Sequence, residues 1–104
     1  MVHEYPDDSL SDDLLKAAQE TVGRALRAHR KAHGLSQAAM GAYAGVHQTE
    51  WSRVETGEVD PRLSWLLQAQ HLFGLESLET LFGPLPTRRL LTEGGGRVVG
   101  PENR

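Results

Sequence analysis

The chain contains no cysteine, which excludes disulfides and thiolate zinc sites. Aromatic residues make up only 6% of it. No run approaches the roughly 18 consecutive apolar residues that a membrane span requires. The N-terminus, Met1 to Asp8, lacks the basic start and apolar stretch of a signal peptide, so a reducing, cytoplasmic setting is expected. There is also no glycine-rich phosphate loop, no nucleophile elbow and no acid–base pair at a recognisable spacing. The sequence therefore predicts a protein that is neither an enzyme nor a cofactor carrier. At 104 residues there is room for one domain and one modest core.

A positive net charge is lacking too: the formal balance is −3, whereas nucleic-acid binders are usually basic. The acidity is concentrated at the start. Glu4, Asp7, Asp8, Asp12, Asp13 and Glu20 face the single Lys16 there. From Thr21 to Trp65 the basic residues Arg24, Arg27, Arg30, Lys31, Arg53 and Arg62 outnumber Glu50, Glu55, Glu58 and Asp60. Binding responds to the local field of one face rather than to total charge, so a weakly basic middle keeps an anionic partner in play.

What the chain has in abundance is helical periodicity. Residues 1–10 are expected to be a flexible acidic leader, residues 11–83 a helical domain and residues 84–104 a C-terminal tail. Leu14, Ala18, Val22, Ala25, Leu26 and His29 recur at steps of three and four, one face of a helix running to about His33. Ser9 or Ser11 is its candidate cap, and Gly23 leaves open whether the helix is continuous. Ser36 opens a second helix with Ala38, Met40 and Ala44 as its apolar surface, ended by Gly45. A third runs from about Gln48 to Thr56 before Gly57. Asp60-Pro61 reads as the start of a fourth, Asp as cap and Pro at the first helical position, with Leu63, Leu66, Leu67, Ala69 and Phe73 on its buried side. A short fifth carries Leu78, Leu81 and Phe82. No strand signal exceeds the pair Val98-Val99. The predicted fold class is all-α, five helices with an extended first helix.

The informative stretch is Gly34-Leu35-Ser36-Gln37, then Gly45-Val46, Trp51-Ser52-Arg53-Val54-Glu55-Thr56-Gly57 and Pro61. It describes two short helices joined by a tight turn, with glycine where the backbone needs a positive φ. Together with Arg30 and Phe73-Gly74-Leu75, this pattern resembles the repressor/Cro family of helix-turn-helix domains, the XRE family, over about 60 residues. The resemblance implies a bacterial or phage DNA-binding protein, cytoplasmic and associated with the nucleoid. It implies that the second helix crosses the phosphate backbone while the third enters the major groove.

The third helix divides into two faces, Trp51, Val54 and Glu55 on one and Gln48, Thr49, Ser52, Arg53 and Thr56 on the other. The resemblance turns the first inward and the second toward the groove. Gln can pair bidentately with adenine and Arg with guanine, so Gln48 and Arg53 are the leading candidates for base contact, with Thr49 and Ser52 beside them. Gln37, at the first turn of the second helix, corresponds to a phosphate-holding position. His47 and Arg62 are further phosphate candidates. Arg30 and Glu55 correspond to a partly buried ion pair joining the first helix to the recognition helix, and a phosphate contact from Arg30 is a secondary expectation.

Some residues depart from the family pattern. Trp51 stands where Ile, Val or Leu is usual and is expected to be an aromatic core anchor. His47 replaces a Ser or Thr cap. Glu50 is a candidate for capping from the third helical position; if it faced the duplex instead, it would repel phosphate or accept from cytosine. Glu58 and Asp60 are acidic where relatives carry Lys or Arg; Asp60 is accounted for as a cap and Glu58 is not. His29 and His33 stand four apart, a spacing that can bind zinc, but no nearby carboxylate or cysteine completes a set, and no metal is expected. The resulting expectation is a sequence-specific regulator of transcription, a repressor, acting as a homodimer on a palindromic operator in double-stranded DNA. The dimer contact is expected from Leu14, Leu15 and Ala18 or from Leu78, Phe82, Leu85, Leu90 and Leu91. Two alternatives are an antitoxin whose tail neutralises a toxin while the domain represses its own promoter, and a protein-interaction module with reduced DNA affinity. In either, the C-terminal tail or the acidic leader would meet a protein partner.

Overall fold

A computed structural model describes residues 10–86. These form five helices in chain order: α1 (Asp12–Ala32), α2 (Gln37–Ala44), α3 (Gln48–Glu55), α4 (Leu63–Phe73) and α5 (Leu78–Phe82), with no strand among the described residues. The fold is all-α. Residues 1–9 of the acidic leader and the tail beyond residue 86 lie outside the described residues, Ser9, Leu90 and Leu91 among them.

Ser11 is the cap of α1, its Oγ accepting from the Leu14 N–H at 3.1 Å. Asp12 and Asp13 lie at the positive end of the helix dipole, and His29, Arg30 and Lys31 at the negative end, the arrangement that stabilises a helix. The helix is continuous through Gly23. A glycine inside a helix costs roughly 0.5–1 kcal/mol relative to alanine, and here packing explains its presence. A Cβ at this position would come within 2.5 Å of the carbonyl oxygens of both Val54 and Glu55. Gly23 is where the backbone of α1 touches the end of α3.

Ser36 caps α2 through the Ala39 N–H at 3.0 Å. At its far end the Val46 N–H reaches back to the Gly41 carbonyl at 2.8 Å, so the chain reverses at once into α3. The core gathers Val22 and Leu26 from α1, Met40 and Ala44 from α2, and Trp51 and Val54 from α3. Ala69 and Phe73 from α4 and Leu81 from α5 complete it. Ala38, expected among the apolar surface of α2, is exposed.

The start of α4 differs from expectation. Asp60 is not its cap and Pro61 is not its first residue. The chain stays extended through Arg62, which holds the N-cap position without a side-chain hydrogen bond. Val59 and Pro61 are both half-buried, Val59 against the core. Holding them there keeps the segment out of helical geometry, and a residue before proline is biased the same way. The buried face of α4 also differs from the expected one. Leu63 and Leu67, expected inside, are 61% and 47% exposed. Trp65, Leu66 and Leu72 pack against the core beside Ala69 and Phe73.

Candidate nucleic-acid interface

Helix α3 is short, and a polar network fixes its inner face. Trp51, Val54 and Glu55 are buried, Gln48, Thr49, Arg53 and Thr56 are exposed, and Ser52 is half-buried. A carboxylate in a core is costly unless every lone pair is used. Glu55 meets that condition with donors from three helices. Arg30 of α1 donates from Nε to Oε2 at 2.6 Å and from Nη2 to Oε1 at 3.1 Å. Gln37 of α2 donates from Nε2 to Oε1 at 3.0 Å, and the indole of Trp51 donates to Oε2 at 2.7 Å. Arg30 in turn donates from Nη1 to the Leu35 carbonyl at 2.8 Å, next to the start of α2. Burial alone would push the Glu55 carboxyl up. The hydrogen bonds from Arg30, Gln37 and Trp51 and the charge of Arg30 outweigh it, and the group sits below its ordinary value.

This network explains the departure at position 51. Trp51 is wholly buried, a core anchor as expected, and it is also a hydrogen-bond donor. The spacing held the signal: Trp51 and Glu55 stand four apart, and residues four apart on a helix touch. Gln37 is likewise more than an exposed helix start. Its side-chain amide is committed to Glu55, whereas its backbone N–H, the first of α2, has no partner within the helix. Arg30 is buried behind the outer face of α3 rather than lying on it.

His47 is an effective cap despite its type. Its Nδ1 accepts from the Thr49 N–H at 3.0 Å, which leaves the ring proton on Nε2 of an exposed side chain. Among the described residues Glu50 makes no capping hydrogen bond; the acceptor at the start of α3 is His47. Arg62 is exposed, with its guanidinium carbon 6.0 Å from the Trp65 ring centroid. Thus Gln48, Thr49 and Arg53 lie on the open side of α3, with Ser52 at its margin. Gln37, His47 and Arg62 lie at the starts of α2, α3 and α4.

Beyond α3, the Gly57 N–H donates to the Val54 carbonyl at 3.1 Å and the Glu58 N–H to the Arg53 carbonyl at 2.9 Å. These are the two bonds of a Schellman turn, with Gly57 in the left-handed region at φ +78°. Position 57 needs glycine twice over, because a Cβ would also lie 2.8–3.1 Å from atoms of Glu20. The two histidines of the zinc spacing serve packing. His29 donates from Nε2 to the Leu81 carbonyl at 3.1 Å and stacks on Phe73 at 5.3 Å. His33 donates from Nδ1 to the His29 carbonyl at 2.9 Å. Among the described residues no three potential ligands converge on a metal position.

Residues 21–81, more than half of the chain, match the family model of a helix-turn-helix domain. The chain belongs to the helix-turn-helix domain family. Two solved structures share the architecture. One is the restriction-modification controller protein C.AhdI from Aeromonas hydrophila, 28% identical with a TM-score of 0.56, over 62% of this chain and 96% of that one. The other is the hypothetical transcription factor NHTF from Neisseria. It is 23% identical with a TM-score of 0.58, over 81% of this chain and 92% of that one, and it bears on the fold alone. No curated protein matches the sequence. Among the described residues no helix is long and apolar enough to cross a membrane. This helix-turn-helix scaffold is that of a DNA-binding domain.

Proposed function

We propose that this helix-turn-helix protein is a sequence-specific transcriptional regulator, a repressor, that reads double-stranded DNA through α3. The observation that carries the proposal is the division of α3. Its inner face is locked by Glu55, and its outer face presents Gln48, Thr49 and Arg53, with Ser52 at the edge. A helix held rigidly on one side and polar on the other suits direct readout, because bidentate contacts to base edges tolerate little motion. The unpartnered N–H at the start of α2, His47 Nε2–H and Arg62 supply phosphate contacts around it. The similarity to a restriction-modification controller protein supports a regulatory role.

A palindromic operator calls for a dimer with recognition helices about 34 Å apart. We place the contact on one surface. Leu15 and Ala18 of α1 line the same open apolar groove as Phe82 and Leu85, so two candidate sets from distant parts of the sequence converge. The antitoxin alternative rests on the tail, outside the described residues, and the interaction-module alternative on the acidic leader with Glu50 and Glu58, of which the two glutamates lie on and beside α3. Selection from random-sequence duplexes tests the main reading. Recovery of a two-fold symmetric site supports it, and no enrichment at low salt overturns it. Replacing Leu15 with Glu should shift the protein toward monomer in sedimentation equilibrium if the groove is the contact, and an unchanged mass excludes it.

A further inference from the structure

Glu58 stands where an acidic side chain should hinder approach to DNA, and its surroundings show that it is held in place. The Schellman turn puts its backbone directly on Arg53, through the bond from its N–H to the Arg53 carbonyl. The turn has little freedom to move, because Gly57 lies against Glu20 of α1. The Thr56 hydroxyl donates to Glu58 Oε2 at 2.8 Å. That leaves Oε1 facing Arg53 Nε at 3.6 Å. Three consecutive residues, Thr56, Gly57 and Glu58, thus hold a carboxylate beside the most prominent cation of the reading face.

We propose that Glu58 is a resident counter-ion of Arg53 that determines specificity, penalising contact with phosphate more than contact with a base edge. The proposal rests on the reading of α3 as the DNA-facing helix. Both side chains are about half exposed, at 54% and 52%, so the pair is weak and open to exchange, as surface pairs are. A phosphate approaching Arg53 carries a full negative charge and meets Glu58 at close range. The O6 and N7 acceptors of guanine carry no net charge and meet far less repulsion. Glu58 takes the Nε side of the guanidinium, and the two terminal nitrogens stay available for such a pair. Affinity for DNA of arbitrary sequence arises almost wholly from phosphate contacts, so the carboxylate suppresses that component preferentially.

The test is a comparison of full-length wild type, Glu58→Gln, Arg53→Ala and the double variant. Each is titrated by fluorescence anisotropy against a random-sequence duplex and against the duplex recovered by selection, over a range of salt. Glu58→Gln should tighten random-sequence binding by roughly three- to tenfold at low salt. Its log–log salt slope should steepen by up to about 0.9, the value of one added phosphate contact. Affinity for the selected duplex should rise less, so the specificity ratio falls. In the Arg53→Ala background the same substitution should do little. An equal gain in that background would mean that Glu58 acts only through bulk charge, and this overturns the proposal while leaving the DNA reading intact. Unchanged slopes in proteins that do bind also overturn it. If wild type and Glu58→Gln both fail to bind either duplex at low salt, the DNA reading falls and the proposal with it. Thr56→Val, which removes the hydroxyl tether, should shift random-sequence binding in the same direction by a smaller factor.

Discussion

Arg30–Glu55 and Arg53–Glu58 pair the same two residue types within one small domain, and Glu55 and Arg53 lie on opposite faces of a single helix. The inner pair is bidentate and buried, and Gln37 and Trp51 use the remaining capacity of the carboxylate. The outer pair has one long contact, and both partners are half in solvent. A buried charge has nowhere to go when its partner is removed, whereas an exposed one is taken up by water. The first pair therefore bears on whether α3 is held in place, and the second on what α3 meets. Substitutions at each pair separate the two roles.

Removing the inner carboxylate should have the largest effect. Glu55→Ala leaves the Arg30 guanidinium buried without its partner, which costs about 3–5 kcal/mol. Urea unfolding followed by circular dichroism reads this directly, and a loss under about 1 kcal/mol would show that the network is not a structural centre. The acid limb of stability should change as well. The Glu55 carboxyl is held below its ordinary value in the folded protein. Its contribution is therefore complete above the unfolded-state value and is lost as pH falls through the lower folded value. The alanine variant should show a flatter decline over that acidic range.

Trp51→Phe probes the same network more gently. It keeps an aromatic ring in the core and removes one hydrogen bond to an ionised group, a contribution of roughly 1.5–3 kcal/mol. Glu55 keeps Arg30 and Gln37, so the variant should fold and unfold cooperatively at a lower urea midpoint. A loss as large as that of Glu55→Ala would mean that the indole acts mainly by filling space. Either result bears on why this position holds tryptophan.

Arg53→Ala should do the reverse of both. Its stability should change by less than about 1 kcal/mol, as for other exposed pairs. Discrimination among bases at its contact position should fall by about 1–3 kcal/mol. A substantial loss of stability would remove the distinction between the two pairs. An unchanged sequence preference in the selected pool would remove Arg53 from the reading face.

How far the sequence reached follows the same division. The five helices, the cap at Ser36 and the two faces of α3 were legible because each rests on local chemistry: a capping side chain, a glycine, a period of 3.6. Asp60-Pro61 misled because the rule for a helix start is local, whereas the burial of Val59 and Pro61 that delays α4 is tertiary. Leu63 and Leu67 were misplaced because packing selects the face of α4 that carries Trp65, Ala69, Leu72 and Phe73. Gly23 resembled a possible break because its neighbours in sequence do not include the carbonyls of Val54 and Glu55. Glu58 was left unexplained because its partner lies across a Schellman turn, five residues back, a spacing that helical periodicity does not mark as a contact.

His47 lies at the border between the locked side of α3 and its open side, and the smallest effect is expected there. Its ring serves the helix as an acceptor at Nδ1 and presents a donor at Nε2 to solvent. Serine caps as well as or better than most residues, so His47→Ser should leave stability unchanged or raise it by a few tenths of a kcal/mol. It would also delete the outward donor. If His47 holds a phosphate, the variant binds DNA of every sequence more weakly by a similar factor and the salt slope becomes shallower, since a contact that carries no sequence information is lost evenly. If binding is unaltered while stability holds, His47 belongs with the inner framework, and the phosphate contacts are left to the start of α2 and to Arg62. A loss confined to one DNA sequence would instead move His47 among the base readers beside Gln48. Thermal melts and parallel titrations on random and selected duplexes distinguish the three outcomes.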